Sequence, residues 1–338
     1  MPADAGAVAR EAFELDFGDA PGEAAAALQE DCIFPLTQLG CLLVQGADAD
    51  AFLQGQLSND VAGLKNAQAQ LSSYNSPKGR VLALLGLTRG DDGIRVEISA
   101  DLVASVQKRL RMYVLRAKVQ LSDVSASLPQ LGLSGPNAAE WLSRNDLPVP
   151  ATDWDVAERG AIRIVRRPGA IARFTLQAPA AELAALWRNH SSPLRPCGTA
   201  AWRLLDILAG LPSIGVATQE HFVAQMLNLD LLGGISFRKG CYPGQEVVAR
   251  LHYLGTLKRR ILRAYISGTA APGDAVYAAD GDGQAVGEVV SVAPHPQHGT
   301  ALLIVLQLQA ATSPLRLGSS EGAEVTVDST SVPATDAS

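Results

Sequence analysis

Cysteine is scarce in this chain: four in 338 residues, at positions 32, 41, 197 and 241. No two form a C-x-x-C pair, and the wide spacings exclude a local zinc or iron–sulfur ligand set. Two disulfides would need an oxidising compartment, yet the opening "MPADAGAVAREAFELDFGDA" lacks the basic segment and apolar core of a secretory signal. It is also too acidic for a transit peptide. No apolar run approaches a membrane span, and "ALLIVL" (301–306) is strand-sized. A reducing cytoplasm is the expected setting, with no membrane partner. The five histidines, His190, His221, His252, His295 and His298, do not cluster at ligand spacing, and the His295/His298 pair reads as exposed loop. There is no Walker motif and no H-E-x-x-H. "DGDGQAVG" (280–287) misses G-x-G-x-x-G, because its third glycine falls one residue late, and it lacks a calcium ligand ladder. It reads as a hairpin turn.

The composition is otherwise that of a globular protein with ample core: 47% hydrophobic residues, in a length that suggests two or three domains. The net charge of −6 excludes a bulk nucleic-acid binder. The charge is uneven, however. From Phe237 to Arg263 stand Arg238, Lys239, Arg250, Lys258, Arg259, Arg260 and Arg263 against the single acid Glu246. That segment is +6, so the rest carries −12. Such a field suits an anionic ligand, while a solvated basic face is the plainer reading.

The chain divides into four stretches. Residues 1–30, rich in Ala, Asp and Glu, read as a flexible tail or one loose helix. Residues 31–128 read as a first α+β portion: a strand at 39–46, a helix capped by Asp48, the hairpins of "SSYNSPKGRVLALLGLTRGDDGIRVEIS", and a helix with Leu102, Val106, Leu110 and Val114 on one face. Residues 129–257 read as a second α+β portion. It has a helix starting near Pro136, strands at "AIRIVRR" and "ARFTLQA", a helix with Pro179 in its first turn, and the helix "TAAWRLLDILAG" stopped by Gly210. From 258 to 330, short strands split by Gly, Pro and Asp predict a small β-barrel. The last residues, "SVPATDAS", read as disordered.

The densest chemistry lies in "RKGCYPGQEVVAR" (238–250). Gly240 and Gly244 permit backbone conformations closed to other residues, and Pro243 fixes a torsion. Cys241 therefore sits on a shaped loop. Val247, Val248 and Leu251 predict a helix directly after it, whose positive N-terminus, with Arg238 and Lys239, favours a thiolate. A nucleophile, a redox-sensitive thiol, a transient metal or sulfur contact and an inert turn cysteine all remain open. Gln245 and Glu246 fall in the first helical turn, as ligand contacts or as caps. Lys239 and Arg250 could grip a carboxylate or phosphate, or only solubilise the surface. "NSPKGR" (75–80) is first a hairpin turn, and could aim Lys78 and Arg80 at the same anion. Trp202 lies at helical spacing with Leu205 and Leu208, which predicts burial, although a tryptophan beside a pocket could stack on a heterocycle.

"KGCYPGQEVVAR" resembles the signature of the YgfZ family, folate-binding proteins related to the T protein of glycine cleavage. "GADADAFLQGQLSNDV", "NSPKGRVLA", "AAWRLLDILAGLPSIG", "NLDLLGGISFRKGCY" and "LGTLKRR" are similar to the same family, over about 33–265. The resemblance implies an α+β, aminomethyltransferase-like folate-binding fold with a small C-terminal β-barrel, around a channel for tetrahydrofolate. It implies a part in assembly or repair of iron–sulfur enzymes, including those that thiolate tRNA, with Cys241 as key thiol. Lys239, Gly240, Tyr242, Gly244, Gln245 and Glu246 match the signature. The implied partners are folates and iron–sulfur client proteins or assembly factors, with direct tRNA contact a lesser option. No permanently bound metal is implied. Catalytic roles fall to Cys241 and Lys239, and folate contacts to Trp202, Asp206, Tyr242, Gln245, Glu246, Arg250 and Lys78. A second folate-contacting tryptophan of the family falls at Leu39. The acid that the T protein carries in its "E-A-G" segment falls at Leu208, with Asp206 half a turn away. A folate-dependent aminomethyl or one-carbon transferase is the alternative.

Overall fold

The computed structural model describes residues 8–11, 13–189, 194–281 and 283–332. His190, the first seven residues, Asp282 and the last six residues of the chain lie outside them.

The first sheet follows the sequence alternation closely. Its strands run, in spatial order, Ala69–Asn75, Val81–Gly90, Gly93–Ser99, Leu39–Gln45 and Gln120–Asp123, all antiparallel. In "GIRVEIS" the residues Ile94, Val96 and Ile98 are buried in the large core. Arg95, Glu97 and Ser99 therefore stand on the opposite face. The helix Val103–Arg111 closes the apolar face with Val106 and Leu110. Asp48 precedes the helix Ala49–Gln54 as expected, but its carboxylate accepts the Lys118 backbone N–H at 2.7 Å instead of capping its own helix.

The second sheet runs Val156–Arg159, Ile162–Arg167, Arg173–Gln177, Gln130–Ser134, Cys32–Pro35 and Arg195–Pro196. Its fifth strand comes from the start of the chain, so the sequence boundary at 128/129 does not match the sheets. The four residues of "CIFP" are all buried and need cover on both faces. On one face Cys32, Phe34 and Leu36 meet Ala201, Trp202 and Leu205 of the helix Thr199–Leu208, and on the other Ile33 enters a second core with Leu133, Trp141 and Leu142. The same helix turns Leu204 and Ile207 into the first core. Residues 199–257 thus tie the two sheets together, and their 3₁₀ turns and loops run over the first sheet with Phe222, Leu227, Leu229 and Val248 in its core.

The amino-terminal stretch is not a loose tail over its described length. Ala20–Ala27 is a helix capped by Asp19, whose carboxylate accepts the Gly22 N–H at 3.1 Å. Ala26 and Ala27 seat against Ala201 and Trp202. Glu23, buried, accepts N–H bonds from Phe17 and Gly198, both at 2.7 Å. Alanine-rich composition imitates a flexible tail, but small side chains also allow close helix packing, and here that decides.

The C-terminal strands form the expected barrel. Arg259–Ile266, Gly299–Gln307, Ala285–His295, Ala275–Ala278, Leu315–Leu317 and Glu324–Val327 close in that order. Leu262, Ala264, Val289, Leu302, Ile304 and Leu306 fill it. His295, expected in an exposed loop, is buried at the end of its strand. Its Nδ1 accepts the N–H groups of Gln297 and His298 at 3.2 Å, which folds the turn back, and its ring packs 5.4 Å from Tyr265. His298 is exposed, as expected. Among the described residues no helix is long and apolar enough to cross a membrane.

Candidate functional site: a central cavity and an exposed thiol loop

The loop carrying Cys241 is held by its neighbours on three sides. Gly244 adopts φ 77° and caps the helix Gln245–Leu254, which starts where the sequence predicts. A Cβ at Gly244 would fall 2.5 Å from the Ser76 carbonyl oxygen and 2.6 Å from the Gly79 Cα. Gly79, at φ 73°, packs in turn on Val247. The "NSPKGR" turn and the "GCYPGQE" loop therefore meet glycine to glycine, a contact that side chains would prevent. Val248 anchors the helix in the first core, and Gln225 donates to its carbonyl at 2.6 Å. Phe237 stacks on His252 at 3.7 Å, pinning the entry to the loop against the helix.

Lys239 and Tyr242 point inward while Cys241 points out. The Lys239 ammonium donates to the carbonyls of Gln54 and Leu57, the latter at 2.6 Å, and lies 4.9 Å above the Tyr242 ring. It thus holds the loop to the end of the helix Ala49–Gln54. Burial pulls its pKa down to about 8, with Asp60 and Cys241 pulling back. Burial also pushes the Tyr242 hydroxyl up to about 12. Between about pH 8 and its ordinary 10.5, the folded state has shed a proton at Lys239 that the unfolded chain keeps, so this group adds stability as pH rises through that window. We expect the Lys239 ¹³Cε resonance to titrate with a midpoint near 8. A midpoint above 10, where free lysines titrate, would remove the amine from its buried position.

Cys241, Glu246, Arg250 and Lys78 are exposed around this loop, and Gln245 is half-buried. The +6 segment is partly spent inside the fold. Arg260 pairs with Asp230 at 2.9 Å and Arg263 with Asp328 at 2.7 Å.

A cavity of about 640 Å³ opens between the two sheets and the barrel. The first sheet contributes Leu71, Leu84, Gly86, Glu97 and Ser99, the polar members being the alternate residues of "RVEIS". Trp154 and Arg167 face it from the second-sheet side, Arg203 and Asp206 from the helix Thr199–Leu208, and Val290 to Val292 from the barrel. Its charged lining is Glu14, Glu97, Asp101 and Asp206 against Arg167 and Arg203, a formal −2. Both arginines are already paired: Arg167 with Glu97 at 2.9 Å, Arg203 with Glu14. None of Cys241, Lys239, Tyr242, Gln245, Glu246, Arg250 or Lys78 lines this cavity. The sequence-derived site residues fall into two groups, and only Asp206 belongs to the cavity.

Trp202 stands one layer behind. It is 1% exposed, packs edge-on against Phe34 at 5.2 Å, and carries the Arg173 guanidinium 5.2 Å over its ring. Arg173 is itself buried and binds Asp206 at 2.7 Å. The burial predicted from helical spacing is what the structure has, and a stacking role for Trp202 finds no open face. Its place is beneath the arginine that positions Asp206. Two aromatic residues line the cavity, Phe13 and a second that the sequence reading also passed over, Trp154. It is half-buried, adopts φ 67°, and lies 5.0 Å beneath Arg167. A bulky residue in the left-handed region is uncommon and collects at functional positions.

The GCVT N-terminal domain family matches residues 16–232. The tRNA-modifying protein YgfZ of Colwellia psychrerythraea is 30% identical over 237 residues, 70% of this chain and 72% of that protein. The tRNA-modifying protein YgfZ of Vibrio vulnificus is 32% identical over 247 residues, 73% of each. The chain belongs to the YgfZ family. Among solved structures, glycine cleavage system aminomethyltransferase T from Bartonella henselae superposes with a TM-score of 0.76 over 96% of this chain and 94% of that one, at 19% identity. That likeness shows the shared fold. Within this YgfZ-family chain the two departures noted in the sequence have distinct outcomes. Leu39 does line the central cavity, as an aliphatic wall. Leu208 does not, and its carbonyl instead accepts a 2.6 Å bond from Arg263, leaving Asp206 as the acid that reaches the cavity from this helix.

Proposed function

We propose that this YgfZ-family protein binds a tetrahydrofolate in the central cavity and serves the assembly or repair of iron–sulfur enzymes, those that thiolate tRNA among them, with Cys241 as its working thiol. The observation that carries this reading is the exposed sulfur on a loop whose flanking residues, Lys239 and Tyr242, are tied inward. Such a sulfur has a fixed address and open access, the two properties needed to touch a partner's cluster or sulfur in passing. The relatives' names as tRNA-modifying proteins support the tRNA connection. The cavity supports the folate part. Its volume lies within the roughly 300–1,000 Å³ of small-molecule sites. Trp154 offers a flat face, and the carboxylate excess suits the amino and ring N–H donors of a pterin. A bound folate would supply one-carbon chemistry; the protein's own residues would hold the ring and exclude water.

The test is tRNA itself. In a bacterial strain deleted for its YgfZ-family gene, the wild-type chain should restore thiolated nucleosides measured by mass spectrometry. Cys241→Ala, at equal protein level, should restore less than about a tenth, as expected when a working nucleophile is removed. Full restoration by that variant would contradict the role of the thiol.

A further inference from the structure

We propose that a second cavity, at the seam between the barrel and the Ser76–Arg80 turn, is a binding site for a small oxyanion, a carboxylate or phosphate group. It measures about 240 Å³ and is lined by Arg80, Arg259 and His221, with Phe222, Met226 and Glu288. Arg80 is placed by its backbone, which bridges to Val223, while the next residue donates to the Phe222 carbonyl at 2.8 Å. One guanidinium nitrogen is pinned to the His221 carbonyl at 2.6 Å, leaving the rest of the fork to the cavity. Arg259 opens the first barrel strand. Unlike Arg260 and Arg263 on the same strand, it has no carboxylate partner among the described residues. The one acid of the lining, Glu288, is already engaged by His221 Nδ1 at 2.5 Å.

Two arginines thus line a space that holds one carboxylate, a formal +1, opposite in sign to the −2 lining of the central cavity. Guanidinium forks bind planar and tetrahedral oxyanions in bidentate fashion. Placement adds to this. Ala217, Thr218 and Pro272 line the central cavity, while His221 and Gly273 line this one, so the same two segments wall both. Of the turn cations, Arg80 is directed here and Lys78 is not. Two sources carry the chemistry: a free phosphate or phosphorylated metabolite, and the γ-glutamyl carboxylates of a folate tail. Only the second rests on the folate reading above.

Calorimetric titration with inorganic phosphate and with the peptide tri-γ-glutamate, neither of which contains a pterin, separates the sources. We expect one of the probes to bind the wild type, and Arg80→Gln and Arg259→Gln each to weaken it at least tenfold. Ala285→Asp, at an exposed position of the lining, adds a carboxylate without entering the core and should weaken binding as much. Arg188→Gln, an exposed residue on the helix Ala180–Asn189 that packs on the second sheet, should leave binding unchanged. Binding of the peptide assigns a carboxylate tail; binding of phosphate with the same variant dependence assigns a phosphate ligand. Failure of both probes at millimolar concentration, or binding indifferent to Arg259→Gln and Ala285→Asp, overturns the site whatever the central cavity holds.

Discussion

In the folded protein, one thiol of the four should react rapidly with an aromatic disulfide reagent at pH 8, and Cys241→Ala should abolish that fast phase. The reason is geometric and electrostatic together. Cys32, Cys41 and Cys197 are at most 1% exposed, and Cys241 alone among the four is exposed. Burial pushes the Cys41 thiol up to about 11. Cys197 is raised as well, first by its contact with the Cys32 sulfur 3.5 Å away and then by burial. At pH 8 a thiol at 11 is about one part in a thousand thiolate, and it must also wait for a local opening. The three buried thiols should therefore lag far behind, each waiting on a local opening, and all four should react together once the protein is unfolded. The variant should keep the wild-type unfolding midpoint, because Cys241 supports no packing. Two fast thiols, or a fast phase that survives Cys241→Ala, would show that the loop is not as described.

The second large effect concerns Arg173 and Asp206. The arginine side chain is 1% exposed and the aspartate 24% exposed, so the two ends of this pair differ in their access to water. Asp206→Leu strands a buried guanidinium and should cost about 3–5 kcal/mol in urea unfolding. Burial already lowers the Arg173 pKa, with Asp206 as the chief opposing influence. Arg173→Met, by contrast, leaves an aspartate that water can still reach, and fills the space over Trp202 with apolar volume. It should cost about half as much or less. The double variant should recover most of the loss of Asp206→Leu, a coupling that a merely local packing effect would not produce. Equal costs for the two single variants would mean that Asp206 does not neutralise Arg173.

Much of this architecture was readable from periodicity, because its determinants are local. Val106 and Leu110 marked a helix, "GIRVEIS" marked a half-buried strand, and the short strands after Lys258 marked the barrel. The Cys241 loop was readable because glycine and proline write backbone geometry directly into sequence. What escaped depends on distant pairings. Nothing in "CIFP" announces a partner at 130–134. Nothing in Lys239 announces that its ammonium serves the carbonyls of residues 54 and 57. The amino-terminal helix has almost no amphipathic pattern, and its order comes from alanines meeting Trp202. The cavity was the hardest part. Its wall is built from alternate residues of a strand, a strained Trp154 and one acid of a helix, each ordinary alone. The expectation of one site joining thiol, cations and folate gave way to two regions, one with the exposed thiol and one with the carboxylate-lined cavity.

That separation makes the folate claim directly measurable by calorimetric titration with tetrahydrofolate under anaerobic conditions. The account predicts that the wild type binds, that Gly86→Leu, which fills the cavity beside Glu97, and Trp154→Ala each weaken binding at least tenfold, about 1.4 kcal/mol, and that Cys241→Ala binds as the wild type does. Absence of binding by the wild type, or binding untouched by the two cavity variants and lost in Cys241→Ala, would contradict it.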